Sequence, residues 1–206
     1  MPHNAGVEIM KIRIELEGTS PLLMHNPRMV DPEFELNRQI KALTSIRKKT
    51  DEILRQIEKL EWYGGLYTSD GPGPLVVVQP TSKVRKCLIN TAKISKSGKM
   101  VERSVSFSEL QVPLVYDGPR EIDALFSDRQ FHSRLSVGIG NKRVMRVRPQ
   151  FFPWALSVSG LFVEDAGLNA DDLANIVELA GVVEGIGDNR VNGYGRFIGR
   201  IVKVSK

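Results

Sequence analysis

Cysteine is almost missing from this 206-residue chain: Cys87 stands alone, so no disulfide can form within it. The three histidines form no cluster with it at metal-ligand spacing, so neither a structural metal nor any other cofactor is expected. Long apolar runs are also missing, and none approaches the roughly 20 residues of a bilayer-spanning helix. The opening "MPHNAGVEIMKIRIELEG" lacks a basic stretch followed by an apolar one, so no secretory leader is read there. A cytoplasmic location without membrane contact is the expectation. Gly-Lys-Ser/Thr is absent, which removes the P-loop nucleotide binders.

Acidic residues are missing from one long window. None occurs between Asp128 and Glu164, where Arg129, Arg134, Lys142, Arg143, Arg146 and Arg148 fall. A second basic run, Lys83, Arg85, Lys86, Lys93, Lys96, Lys99 and Arg103, is broken only by Glu102, while acids gather in residues 31–61 and 164–184. The net charge of +5 is modest, but its segregation predicts a polarised surface of the kind nucleic-acid binders use. A solvated charged face is the plainer alternative.

Periodicity supplies the elements. "EIMKIRIELEG" alternates, with Met10, Ile12, Ile14 and Leu16 on one face, and predicts a half-buried strand. From Phe34 to Tyr63 the spacing turns helical, with Thr50 as an N-cap, and predicts a helical hairpin or one kinked helix. "LVVVQP" reads as a strand, and Thr81 or Ser82 caps a helix with Val84, Leu88 and Ala92 inside. "SKSGKMVERS" reads as a basic loop and "LQVPLVYDG" as one strand. "FHSRLSVGIGNKRVMRVRP" reads as a hairpin with arginine on both sides. There His132, Arg134 and Ser136 share a solvent face, Arg146 and Arg148 share another, and Met145 is placed to wedge between bases. A charge-protected edge strand is the alternative. "WALSVSGLFVE", a helix capped by Asn169, and "RFIGRIVKVS" complete the chain. Trp62 and Trp154 are expected in the core.

With the insertions at 31–63 (helical) and 129–150 (basic β-hairpin) set aside, the order is β-α-β-β-α-β. That predicts one α+β domain of ferredoxin-like (RRM-like) type, an antiparallel sheet covered by two helices with its other face open for binding.

Between the last helix and the last strand lies "GVVEGIGDNRVNGYGRF", residues 181–197, with five glycines and two arginines. It follows a helix and feeds a strand, the reverse of a dinucleotide fingerprint, and Arg190 stands where the third glycine of that fingerprint belongs. The pattern G-x-G-x-x-R-x-x-G-Y-G-R-F at this place, together with "LEGTSPLLMH" after the first strand, resembles the RAMP superfamily of CRISPR-associated RNA-binding proteins. The chain's size and single unit suit a phage-encoded relative.

The resemblance implies a loop whose backbone passes close to nucleic acid, with Gly187, Arg190, Asn192, Gly193, Tyr194, Gly195 and Arg196 at the strand and Tyr194 stacking on a base. The glycines also suit a tight connection that needs positive φ. Some RAMP proteins cleave RNA without metal through a histidine, and His25, just after the first strand, is the candidate. The leading expectation is a non-enzymatic binder of single-stranded DNA or RNA that oligomerises along the strand. The alternatives are a metal-independent endoribonuclease using His25, and an interaction protein that mimics a CRISPR subunit.

Overall fold

Alternation decides the first strand. In the computed structural model, which describes residues 8–69, 74–140, 142–164 and 167–203, β1 (Glu8–Gly18) buries Ile12, Ile14 and Leu16 and exposes Arg13, Glu15 and Glu17. β1 lies between β10 (Phe197–Lys203) and β9 (Trp154–Glu164), antiparallel to both. β4 (Val105–Phe107) and β6 (Val115–Tyr116) pair with the far side of β9, so the main sheet runs β10-β1-β9-β4 with β6 beside β9.

Two helices cover its inner face. α3 (Thr81–Ala92) turns in Val84, Cys87, Leu88 and Ala92, and α6 (Ala170–Val183) turns in Leu173, Ile176, Val177 and Ala180. Asn169 caps α6 in a full capping box with Asp172, as the sequence predicts. α6 sits so close to the sheet that a Cβ on Gly181 would lie 1.8 Å from the Phe197 carbonyl oxygen.

A second layer is built on β2 (Leu22–Leu23), β8 (Lys142–Phe151) and β7 (His132–Ile139), ordered β2-β8-β7. Against it packs α2 (Asp51–Gly65), itself paired with α1 (Glu35–Ser45). The predicted helical hairpin is therefore present, and the Thr50 side chain caps α2 at Ile53. Trp62 of α2 is fully buried, with its indole N–H donating to the Phe131 carbonyl at 2.8 Å and its ring stacked on His132. Trp154 is buried too, and Gly18 leaves the space that its ring fills.

Several local expectations give way. "SKSGKMVERS" contains a short helix, α4 (Gly98–Ser104), because Gly98 tucks under the Ile89 carbonyl and Val101 is buried beside α3. "LQVPLVYDG" is broken after Pro113: β5 (Gln111–Pro113) pairs with β3 (Val78–Pro80), and β6 leaves for the main sheet. Thr81 does not cap α3; its hydroxyl donates to the Glu109 carbonyl at 2.7 Å and ties α3 to the strand connection. α5 (Ile122–Ser127) was not foreseen; only Leu125 of its residues is buried. No helix among the described residues is long and apolar enough to cross a membrane.

Candidate nucleic-acid interface

The residues after β1 and the loop after α6 are knitted together by backbone bonds. Ile186 N–H donates to Gly195 O at 2.9 Å, Gly195 N–H to Pro21 O at 2.8 Å, and Asp188 N–H to Leu23 O at 2.9 Å. The Ser20 hydroxyl donates to Gly193 O and accepts from the Arg196 N–H, both at 2.8 Å. The two stretches that carry the RAMP resemblance are thus one structural unit.

Its glycines have different tasks. Gly185, Gly187, Gly193 and Gly195 all have positive φ. A Cβ on Gly195 would lie 1.7 Å from Ile186 O, and one on Gly187 2.5 Å from Leu23 O. These two serve close backbone approach inside the protein, so of Gly193 and Gly195, both expected to be glycine to let nucleic acid come close, Gly195 is glycine for an internal reason. Gly193 faces open space, so only its conformation asks for glycine. Tyr194, between them, is half-buried.

The loop's side chains form a polar rim. Arg190 pairs with Glu184, which also accepts from Asn90 at 2.9 Å. Burial alone would raise the Glu184 pKa, but the bonds from Asn90 and Arg190 hold it below the ordinary value. Asn192 donates to Asn189 at 2.6 Å, and Arg196 donates to the Arg190 carbonyl at 3.2 Å. A recess of about 390 Å³ opens here, lined by Glu184, Gly187, Asp188, Arg190 and Arg196.

Beyond Asp188 the rim continues to His25. Asp188 accepts from Arg148 at 3.3 Å, and both charges act on His25, as do Lys83 and Arg146. Burial lowers the His25 pKa first, and Arg148 lowers it further against the opposing pull of Asp188, so the imidazole is neutral near pH 7. His25 Nδ1 and Arg196 Nη1 are buried with no hydrogen-bond partner among the described residues. The His25 carbonyl accepts from the Tyr67 hydroxyl at 3.0 Å, and burial pushes the Tyr67 pKa up to about 12.

The other basic candidates divide. Lys83 and Lys86 are exposed on the first turns of α3 and make no ion pair with any described residue. Lys93 lies ten residues beyond Lys83, about 15 Å along the helix, and donates to Asn90. Lys96 and Lys99 are exposed beyond it, in the link after α3 and on the first turn of α4. Arg85 is structural, holding the Glu102 and Val105 carbonyls.

In the hairpin, Arg134 pairs with Glu58 at 2.7 Å, and Arg146 with the buried Glu61, whose carboxylate also accepts the Val147 N–H at 3.0 Å. Arg143 folds back on Ser136, donating to its hydroxyl at 3.0 Å. The Lys142 side chain lies outside the described residues. The expected free cationic ribbon is corrected accordingly: Arg134 and Arg146 are neutralised by α2, and among the described cations of the hairpin only Arg148 bonds to the loop. Six residues of strand separate Arg148 from Lys142, about 20 Å, so the tip is remote from the rim.

The sheet face opposite the helices is exposed, and it is mixed in charge. Lys11 and Arg13 share it with Glu15 and Glu17, and its recess of about 420 Å³ is lined by Glu15, Glu17 and Asp117 against the single cation Arg200. That end of the face carries more acidic than basic side chains.

Among the described residues no group of three or more His, Cys, Asp or Glu side chains is placed to hold a metal ion. Sequence reasoning missed Ser20, Asn90, Glu184 and Asp188, the groups that fix the loop. No local signal marked them, because each acts across a long separation in the chain. No protein-family model matches this sequence, and no curated protein matches it.

Proposed function

We propose that the rim formed by the 184–196 loop, His25 and the first turns of α3 binds single-stranded nucleic acid without cleaving it. The observation that carries this reading is the coincidence of buried groups with no partner among the described residues, His25 Nδ1 and Arg196 Nη1, with the cations Lys83 and Lys86, which pair with no described acid. Buried polar groups are ordinarily satisfied, and an unsatisfied one asks for an outside partner. Phosphate oxygens and the polar edges of bases are such partners, and Lys83 and Lys86 supply the long-range attraction. The strand order β10-β1-β9-β4, with α3 and α6 on one face, supports a ferredoxin-like reading of the main sheet and with it the RAMP resemblance. A mobility-shift panel of single- and double-stranded DNA and RNA tests the proposal: preference for single strands supports it, and equal or absent binding refutes it.

One observation favours a second reading. A neutral imidazole beside Arg148 and Lys83 has the form of a general base next to cations that would stabilise a developing phosphorane charge. Labelled RNA incubated with the protein in EDTA separates the two. Fragments that disappear with His25→Ala establish the nuclease; intact RNA with retained binding establishes the binder.

A further inference from the structure

The face formed by α3 and α6 carries apolar side chains where polar ones would serve the monomer equally well. Seating α6 through Gly181 leaves the next two residues outside, yet both are valines: Val182 is 68% exposed and Val183 43%. Leu179, one turn earlier, is 41% exposed and shares a recess with Ile94 of the α3 end, itself 67% exposed. Val191, 93% exposed, shares the neighbouring recess with Val183. These five form a stripe along the helical layer, and contiguous exposed apolar surface marks an interaction site.

Charge flanks the stripe with opposite sign on each side. From Thr81 to Val101 there is no acidic residue, and α3 shows Lys83, Lys86 and Lys93 to solvent. From Ala170 to Asn189 there is no basic residue, and α6 shows Asp171, Asp172 and Glu178. The Cys87 thiol contacts the Ala180 carbonyl, and Thr91 and Ile94 line the same recess as Asp172 and Ile176. The helices are therefore antiparallel neighbours, and because Asn90 reaches Glu184 at 2.9 Å, Lys93 is level with the middle of α6, near Glu178.

We propose that this face docks a second copy of the chain, across a two-fold axis running parallel to the two helices. Such an axis lays α3 of each copy over α6 of the other, Lys93 over Glu178, with Val182 covered by the partner's α3 and with Leu179 and Ile94, which share the recess between the helices, close to the axis. The alternative axis in the same plane, at right angles to the helices, would lay α3 on α3 and α6 on α6, like charge on like. Self-complementarity of this kind is what an isologous dimer requires. It also gives Lys93 a role that its distance from the loop denies it in nucleic-acid binding.

The test is sedimentation velocity and light scattering on the full chain at low salt, without nucleic acid. The parent should run at twice the chain mass. Val182→Asp, at an exposed position, should run at the chain mass with an unchanged circular dichroism spectrum and melting temperature. Glu178→Lys and Lys93→Glu should each weaken the dimer by about tenfold, since each places like charges face to face across the axis. An equimolar mixture of those two variants should recover it, because each then supplies the opposite charge to the other. A parent that stays at the chain mass through the micromolar range overturns the proposal. So does a dimer that Val182→Asp leaves intact, or a mixture that fails to recover.

Discussion

The hairpin and the loop rim are both basic in sequence, but they end in opposite electrostatic states. In the hairpin, Arg134 and Arg146 meet Glu58 and Glu61 of α2, so the cations brace one layer against the next. At the rim, among the described residues, Lys83 and Lys86 meet no acid, and His25 and Arg196 keep buried nitrogens without partners. A run of like charge along a chain therefore says little about surface potential until its packing partner is known. Here the acidic residues of α2 cancel the hairpin, and the uncancelled charge is elsewhere.

That contrast is tested most severely at Glu61. Glu61→Ala strands the half-buried Arg146 and the Val147 N–H, and should cost about 3–5 kcal/mol, lowering the melting temperature by on the order of 10 °C. Oligonucleotide affinity at a temperature where the variant is folded should not change. If affinity falls instead, the hairpin belongs to the binding surface and the contrast fails.

Within the rim the glycines sharpen the same distinction between internal and external duty. Gly195→Ala drives a Cβ into Ile186 O and should cost about 3 kcal/mol or more. Gly193→Ala meets open space and carries only the left-handed backbone penalty, about 1 kcal/mol. Urea melts of the two variants check this, and equal losses would mean that the loop is not held as described.

The smallest effect is on pH dependence. His25 and His132 both have pKa values lowered chiefly by burial, so the unfolded chain binds more protons than the native one just below the ordinary histidine value. Stability should then rise with pH through that window and be lost as pH falls below about 6.5. Melting temperatures across that range should drop less in His25→Asn than in the parent.

Much of this was legible in sequence where the signal is local. Alternation gave β1, helical spacing with Thr50 and Asn169 gave α2 and α6, and the glycine pattern located the loop. α4 escaped because Val101 is the one fully buried apolar side chain in a run that is otherwise basic and polar, too few for a period. β6 escaped because Pro113 ends one pairing and lets the chain change sheets. At the site, His25 and the loop were found separately. Their union through Ser20 and Asp188, and the capture of Arg134 and Arg146 by α2, depend on contacts between distant residues that no local pattern encodes.

The central claim is that the unpaired lysines beside the loop, and not the hairpin, hold the strand. Fluorescence anisotropy of a labelled single-stranded oligonucleotide, titrated at several salt concentrations, tests it directly. For about three phosphates held, the parent's log affinity should fall with log salt with a slope of roughly −2. The double variant Lys83→Ala, Lys86→Ala should reduce the steepness by about 1.4, and Arg134→Ala should leave it as it is. A slope that survives loss of both lysines and flattens with Arg134→Ala would contradict the account and move the strand to the hairpin.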